Sequence, residues 1–399
     1  MSEKDASGLV IYSMEGCPFC MKAKGFLVEK GIAYTEIPVE PGSDSWEEMK
    51  QVSGSEYTPQ ILINGEPIGG YADMVNLYAT GELNSRLGIS ASGEQAELFD
   101  VIIIGGGPAG LNAALYAARK VLKTILIAKD IGGQLRDTWE IDNYLGYSGE
   151  ALELIEKFES HVENYDIQKR VGQRIAAIDL TGRIKSVTTD EGEIFYTKTV
   201  ILAMGKRPRT LNVPGEADLL GKGVAYCSTC DAPFYTDANV AVIGGGNSAL
   251  EAVIDLDKVA RQVYMVSLTE LTGDPILQNR VRTFSKVKLY TRYNTTRIIG
   301  ADGVTGVEIE SLDTGEKLQL DVEGVFIEIG LLSNSELVIG TLMTNQLGEI
   351  VVDPICRTGI PGVFACGDVT SVPFKQVTIA AGEGAKAALA AYDYLLMER

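Results

Sequence analysis

The sequence predicts an α/β protein with three modules. Two segments predict the larger part, FDVIIIGGGPAGLNAALYAARK at 99–120 and NVAVIGGGNSALEAVIDLDK at 239–258, because each combines a β-branched strand, a tight glycine turn and a helix. Before residue 85, a shorter alternation of strands and helices predicts a small α/β module that carries CPFC at the start of its first helix. With 399 residues, the chain can form two or three domains that each bury a core.

Composition and charge narrow the function classes. A net charge of −19 would be repelled by nucleic acid and by anionic membranes, so neither is expected as a partner. The start MSEKDASGLV lacks the apolar run and cleavage site of a signal peptide, so we expect a cytoplasmic protein. The uncharged run 101–118 could cross a bilayer by length, but its glycines and Pro108 divide it into strand, turn and helix.

The chain has one histidine, His161, in an amphipathic helical pattern that predicts a surface position. Zinc sites built on several imidazoles, and nucleophiles that need a histidine base, are therefore not expected, and no metal site is predicted. A proton donor must be a carboxylic acid, a thiol or water.

The pair CPFC, Cys17 and Cys20, predicts redox chemistry in the first module. A thiolate at a helix N-terminus faces unpaired N–H groups and the positive end of the helix dipole, so its pKa falls. Pro18 fits a first helical turn. Cys17 is then the exposed attacking thiol and Cys20 the resolving one; half of a zinc site is the alternative.

The first glycine turn has the spacing G-x-G-x-x-G, at Gly105, Gly107 and Gly110. Such glycines allow a tight turn and let the backbone approach a pyrophosphate at a helix N-terminus. An acidic residue for the ribose is missing after the next strand until Asp130, so the adenosine contact is expected to be shifted.

The second turn, G-x-G-x-x-A, comprises Gly244, Gly246 and Ala249, and predicts a nicotinamide nucleotide site. The next strand ends in Ser267 and Leu268, neither an acid for NADH nor an arginine for NADPH, so the donor stays open between the two. A nucleotide fold kept only as a scaffold is the alternative.

A second cysteine pair, CSTC, lies just before this turn, at Cys227 and Cys230. In a reducing cytosol, paired cysteines are more often catalytic than structural. Cys356 and Cys366 match no redox or metal spacing and are predicted to be buried.

The N-terminal module resembles glutaredoxins in CPFC, in TPQ at 58–60 and in GGYAD at 69–73. The resemblance implies a thioredoxin fold with a cis proline at Pro59. It also implies a groove for glutathione or a protein disulfide, formed by Thr58, Pro59, Gly69 and Gly70.

Residues 99–396 resemble bacterial thioredoxin reductases and the flavoprotein subunit of alkyl hydroperoxide reductase, through GGQL, NVPGE, CDAPFY and GVFACGDVT. The resemblance implies FAD, NADH or NADPH, and a homodimer. In that family the second cysteine of the pair exchanges electrons with the flavin, the first attacks the partner, and the following acid handles protons; these roles fall to Cys230, Cys227 and Asp231. The flavin contacts implied here are Gly133, Gln134, Asp368, Lys375 and Gln376.

The expected organisation is a glutaredoxin-like domain (1–85), a linker (86–98), an FAD-binding domain in two parts (99–213 and 331–399) and a nicotinamide domain (214–330). The expected function is flavin-dependent disulfide reduction. Electrons would pass from the flavin through CSTC to CPFC, and then to a thioredoxin-like protein, a peroxiredoxin or a glutathione-type disulfide. Two alternatives remain, ferredoxin as donor and a redox sensor or adaptor without turnover. Alternating access to the flavin implies hinges near 212–216 and 329–332.

Overall fold

The computed structural model describes residues 8–88, 97–138 and 140–398. The N-terminal domain, residues 8–88, contains a four-stranded sheet of order β2-β1-β3-β4. Its elements are β1 (Leu9–Ser13), α1 (Pro18–Glu29), β2 (Thr35–Pro38), α2 (Asp44–Ser53), β3 (Gln60–Ile63), β4 (Glu66–Gly69), α3 (Tyr71–Ala79) and α4 (Glu82–Leu87). The parallel β1–β2 pair and the antiparallel β1–β3 pair place the start of α1 at one end of the central strand.

A second domain follows, here called the seven-stranded domain after its sheet. Its first part contains β5 (Leu98–Gly106), α5 (Pro108–Arg119), β6 (Thr124–Ile131), β7 (Glu140–Tyr144), β8 (Tyr147–Glu150), α6 (Ala151–Glu163), β9 (Gln168–Val171), β10 (Ile175–Asp179), β11 (Lys185–Thr189), β12 (Ile194–Leu202) and β13 (Lys206–Pro208). Strand β5 lies between two parallel strands, and both faces of the sheet are covered, so its side chains alternate between two hydrophobic clusters.

The third unit, the five-stranded domain, has a parallel sheet of order β14-β21-β15-β16-β17 and a separate three-stranded sheet. Its elements are β14 (Val224–Ala225), α7 (Ser228–Asp231), β15 (Asn239–Ile243), α8 (Asn247–Val259), β16 (Gln262–Ser267), α9 (Pro275–Arg282), β17 (Val287–Thr291), β18 (Tyr293–Gly300), β19 (Val304–Ser311), β20 (Lys317–Leu320) and β21 (Gly324–Ile327).

The chain then returns to the seven-stranded domain through β22 (Leu331–Ser333), β23 (Val363–Ala365) and α10 (Val377–Met397). Strand β22 pairs with β13, and β23 pairs with β12 deep in the sheet. Helix α10 packs so closely on α5 that a Cβ at Gly384 would lie 2.0 Å from the carbonyl oxygen of Ala109. The sheet is therefore complete only when two distant segments meet.

The N-terminal domain is seated on β10–β12 of the seven-stranded domain. Tyr196 is buried against the N-terminal core, with its ring edge on Tyr78 at a centroid distance of 6.3 Å. Lys22 on α1 forms an ion pair with Asp179 at 2.6 Å. The N-terminal domain, which carries CPFC, therefore contacts β10–β12, whereas the residue after CSTC contacts Thr138.

The linker expected over 86–98 is wrong at both ends. Helix α4 continues to Leu87, stabilised by the Glu82–Arg86 pair one turn apart, and ends at the left-handed Gly88. Strand β5 already begins at Leu98. The part at 89–96 lies outside the described residues.

The uncharged run at 101–118 forms β5 and α5, as predicted. Within the described residues, no helix is both long and apolar enough to span a membrane.

Candidate active site

The first cysteine pair lies where β1 leads into α1. Cys17 caps the helix, and its Sγ accepts a hydrogen bond from the N–H of Cys20 at 3.2 Å. Burial by itself would raise the pKa of Cys17, but the hydrogen bonds from Cys20 and Thr58 outweigh it and lower the pKa below the usual value. Burial, with Cys17 as neighbour, raises the pKa of Cys20. The pair thus contains one activated thiol and one thiol held protonated.

The sequence predicts an exposed thiol at Cys17, but the structure shows this residue buried. Only 7 % of the residue is accessible, against 0 % of Cys20. Thr58 lies beside this thiol, and its hydroxyl donates to the Cys17 Sγ at 3.6 Å. Cys17 remains the more accessible of the two, which agrees with its predicted role as the attacking thiol.

The predicted groove residues gather beside this thiol. The Thr58–Pro59 peptide bond is cis, as the resemblance implies. A Cβ at Gly70 would lie 3.5 Å from the carbonyl oxygen of Pro59, so the glycine turn borders the proline. Gly69 has a φ of +102° and faces Asp73, which fixes the turn by accepting a hydrogen bond from Gly70 at 2.8 Å. A ligand role for these residues stays a prediction.

The first glycine turn forms a cradle with no room for side chains. A Cβ at Gly105 would lie 2.2 Å from the carbonyl of Ala203, and one at Gly110 only 1.8 Å from that of Gly105. Gly107 caps α5, and its Cα lies close to Gly133 of the GGQL turn. Two backbone loops therefore converge at a helix N-terminus, which is the donor set that a pyrophosphate requires.

Asp130, the first acidic residue of this strand, hydrogen-bonds to the GGQL turn, and the shifted adenosine contact stays a prediction. It lies within β6, and its carboxylate accepts a hydrogen bond from the N–H of Gly133 at 3.3 Å. The acid therefore positions the GGQL turn.

The C-terminal segment brings Asp368 to the same place. Gln134 donates to the Asp368 carboxylate at 3.0 Å, across 234 residues of sequence. Burial raises the pKa of Asp368, and Lys375 and Gln134 offset part of the rise. Gln376 caps α10 and accepts a hydrogen bond from Asn143 at 3.2 Å. Glycine backbone, amide and carboxyl groups thus meet in one cradle, which fits the expected FAD.

Lys375 is bound within the protein. Its ammonium donates to the carbonyl of Thr370 at 2.6 Å and lies 3.3 Å from the carboxylate of Glu349. Glu349 also pairs with the buried Lys206. Lys375 therefore joins a buried charge network beside Asp368, and a direct flavin contact stays a prediction.

The second glycine turn has the same geometry at β15 and α8. A Cβ at Gly244, with φ +144°, would lie 2.3 Å from the carbonyl of Glu328. Gly246 caps α8 with open space around it, whereas Ala249 is fully buried under the turn. Ser267 packs directly on the middle glycine of the turn, so it cannot extend toward a ribose as a longer acid would.

The pair CSTC forms a disulfide at the start of the short helix α7. The Sγ of Cys227 accepts a hydrogen bond from the N–H of Cys230 at 3.2 Å, which repeats the arrangement of CPFC. Asp231 follows, and Thr138 of the seven-stranded domain donates to its carboxylate at 3.1 Å. Burial raises the pKa of Asp231 to about 6, and the Thr138 bond offsets part of the rise.

Asp231 also lines a cleft of about 170 Å³ between the two large domains. Thr138 and Glu140 line it on one side, and Tyr235 on the other. A carboxyl whose pKa burial raises to about 6, one residue from a disulfide, can deliver and accept the protons of thiol exchange.

The remaining candidates lie where the sequence predicts. Cys356 and Cys366 are buried, and burial raises the pKa of Cys356 to about 11. His161 is exposed on α6. Among the described residues, no cluster of three metal-ligating side chains occurs.

Residues 99–384 match the family described as pyridine nucleotide-disulphide oxidoreductase, and residues 9–68 match glutaredoxin. This chain belongs to the pyridine nucleotide-disulphide oxidoreductases. The family match confirms the predicted enzyme class, an oxidoreductase that uses FAD and NAD(P)H, and the glutaredoxin match confirms the predicted class of the N-terminal domain.

Named relatives of this oxidoreductase support the family assignment. The F component of the alkyl hydroperoxide reductase of Staphylococcus aureus is 41% identical over 85% of this chain and 67% of its own length. The protein of the same name in Pseudomonas putida is 39% identical over 96% and 75%. The crystal structure of thioredoxin reductase from Streptococcus pyogenes superimposes with a TM-score of 0.72 at 37% identity, covering 75% of this chain and 99% of that one.

Sequence reasoning missed two groups beside the disulfide of this oxidoreductase. Thr138 contacts Asp231, 93 residues away in sequence, and Glu328 contacts Ser228, 100 residues away. Neither belongs to a motif, so the only available signal was the place of Glu328 directly after the strand GVFI.

Proposed function

We propose that this oxidoreductase passes electrons from a reduced nicotinamide, through FAD and Cys227–Cys230, to Cys17–Cys20 of its own glutaredoxin-like domain. A further disulfide then takes the electrons from Cys17–Cys20. The observation that carries the proposal is the repeated geometry of the two pairs, in which the first cysteine caps a helix and accepts a bond from the second. Two such pairs on one chain suit successive thiol-disulfide exchange.

Bound FAD would supply a two-electron carrier between the nicotinamide and the disulfide. Gly107, Gly133 and Asp368 would hold it. In the exchange step, the Cys227 thiolate attacks the Cys17–Cys20 disulfide and forms a mixed disulfide. Cys230 then attacks Cys227, which re-forms CSTC and leaves both N-terminal cysteines reduced. Two electrons and two protons move, and Asp231, whose pKa burial raises to about 6, would exchange protons with this pair.

The two pairs must come together for this step. Lys22 and Tyr196 hold the N-terminal domain on β10–β12, whereas Thr138 holds Asp231 beside CSTC on another part of the seven-stranded domain. The proposed exchange therefore includes movement of a domain, with hinges near 212–216 and 329–332.

NADH is the donor that the turn after β16 favours. A 2′-phosphate needs cationic partners, but the segment 267–275 carries Glu270 and Asp274 and no arginine or lysine. Both acids would repel the extra phosphate of NADPH.

A peroxiredoxin is the proposed final acceptor, because the named relatives are components of an alkyl hydroperoxide reductase. A thioredoxin-like protein or a glutathione-type disulfide is the alternative. We further propose a cytoplasmic homodimer, which sedimentation analysis of the purified protein tests.

An anaerobic titration tests the proposal. NADH, NADPH or reduced ferredoxin is added to the oxidised protein while flavin absorbance is followed, and the free thiols are then alkylated and located by mass spectrometry. We expect NADH to bleach the flavin and to reduce Cys17 and Cys20. In Cys230→Ser the flavin should still bleach while CPFC stays oxidised, and the buried Cys366→Ser serves as control.

Reduction of CPFC in Cys230→Ser would refute the relay. Bleaching by ferredoxin alone would identify the other donor, and no bleaching with any donor would favour the sensor.

A further inference from the structure

Glu328 connects the disulfide helix to the nucleotide turn. Its carboxylate accepts a hydrogen bond from the N–H of Ser228, the residue directly after Cys227, at 3.2 Å. Its main-chain carbonyl accepts from the hydroxyl of Ser248 on α8 at 3.4 Å and packs against Gly244. One residue directly after β21 thus contacts both the disulfide helix and the nucleotide turn of the five-stranded domain.

Among the described residues, no lysine or arginine is found to act on the charge of Glu328. The groups that face it are Ser228 from α7 and Ser248 and Glu251 from α8, and Glu251 is the charged one among them. Burial raises the pKa of Glu328 to about 7, hydrogen bonds from Ser228 offset part of the rise, and Glu251 adds to it. The side chain therefore changes charge within the working pH range of a thiol.

Glu328 and Cys227 both accept hydrogen bonds from backbone N–H groups of α7. The carboxylate takes the N–H of Ser228, and the Cys227 sulfur takes the N–H of Cys230. Two anions at one turn repel each other, so a carboxylate at Glu328 disfavours the thiolate at Cys227.

We propose that Glu328 is a positioning residue that sets the protonation of Cys227 in the reduced pair, and with it the pH at which this thiol attacks a disulfide. The inference deepens the proposed function and rests on it. When Cys227 loses its proton and attacks, its sulfur bonds to one sulfur of the acceptor disulfide, the old S–S bond breaks, and the other sulfur leaves as a thiolate. The electron pair comes from Cys227, and the neutral Glu328 allows its charge to form.

Glu328 differs from Asp231 in its domain contacts. Asp231 is bonded to Thr138 of the seven-stranded domain, a contact that any rotation of the five-stranded domain would break. Both contacts of Glu328 lie within the five-stranded domain. Glu328 would therefore keep its effect on Cys227 when the disulfide moves to its partner.

Alkylation of the reduced pair tests the proposal without any turnover. Cys17→Ser/Cys20→Ser protein, with and without Glu328→Gln, is reduced with dithiothreitol, desalted and treated with iodoacetamide across a range of pH. Mass spectrometry then gives the rate at the Cys227 peptide. Glutamine keeps the size of the side chain and an oxygen for Ser228. Glu328→Asp keeps the charge, and Glu251→Gln removes the neighbouring carboxyl.

We expect Glu328→Gln to alkylate Cys227 about tenfold faster than its parent at about pH 8.5, because a neighbouring charge of this kind is worth roughly one pKa unit. The ratio should fall toward one as the pH drops through about 7. Glu328→Asp should behave as the parent, and Glu251→Gln should show a smaller effect.

A ratio of one at every pH, or a ratio that does not change with pH, overturns the inference. If the donor titration succeeds and the ratio is flat, only this inference fails. If the ratio is pH-dependent and the titration fails, only the relay fails.

Discussion

Replacing Thr138 with valine removes one hydroxyl from the contact between the seven-stranded domain and Asp231. The bond measures 3.1 Å and lowers the pKa of that carboxyl. A hydrogen bond to a charged group contributes about 1.5–3 kcal/mol, against about 0.5–1.5 kcal/mol for a neutral one. The charged form of Asp231 therefore loses about 1 kcal/mol more than the neutral form, and the pKa rises further.

The sign of the effect on turnover follows from the role of the acid. If protonated Asp231 is required, turnover falls as the pH rises through about 6 in the wild type. In Thr138→Val the fall should occur at higher pH, so turnover on the alkaline side should be about fivefold greater, the factor that corresponds to about 1 kcal/mol.

The assay is steady-state reduction of an aryl disulfide by NADH as a function of pH. Thr138→Ser keeps the hydroxyl and should give the wild-type profile. A valine variant with an unchanged midpoint, whatever its maximal rate, would refute the reasoning, because a changed height alone reports altered packing and not an altered proton.

Three further predictions concern packing, buried charge and the first thiol. Gly384→Ala should lower the free energy of unfolding by about 1–3 kcal/mol through overpacking. On heating, this variant should release its flavin at a lower temperature, which flavin fluorescence measures. Gly382→Ala, where an added Cβ meets nothing within 4 Å, should release flavin at the wild-type temperature. Lys206→Met should leave Glu349 short of its closest cation and lower the free energy of unfolding in urea by about 3 kcal/mol; a loss below about 1 kcal/mol would contradict this. Thr58→Val should raise the pKa of the thiol that caps α1 and slow its alkylation at neutral pH, and an equal rate would show that the hydroxyl does not stabilise the thiolate.

The sequence predicts those parts of the structure whose conformation depends on a few neighbouring residues. Both glycine turns and the cap of α1 are determined by a few consecutive residues, because a tight turn or a helix cap needs particular residue types at fixed spacing. The buried state of Cys366 follows from its apolar neighbours in the same way.

The parts that the sequence does not predict depend on distant contacts. Lys375 pairs with Glu349, and Thr138 contacts Asp231, because folding of the whole chain brings them together. Periodicity carries no information on such pairs. The error at 86–98 has a local cause, since the short α4 is too brief to show a helical period.

The pairing of β12 with both β5 and β23 has a consequence for biosynthesis. On the ribosome, the strands that flank the first glycine turn emerge long before β23 and α10, which complete the cradle at Asp368. The glutaredoxin-like domain and the nicotinamide-binding sheet can therefore form while the chain is still being made. Capture of the flavin must wait until translation has passed α10, so a nascent chain stalled between the two segments should be colourless.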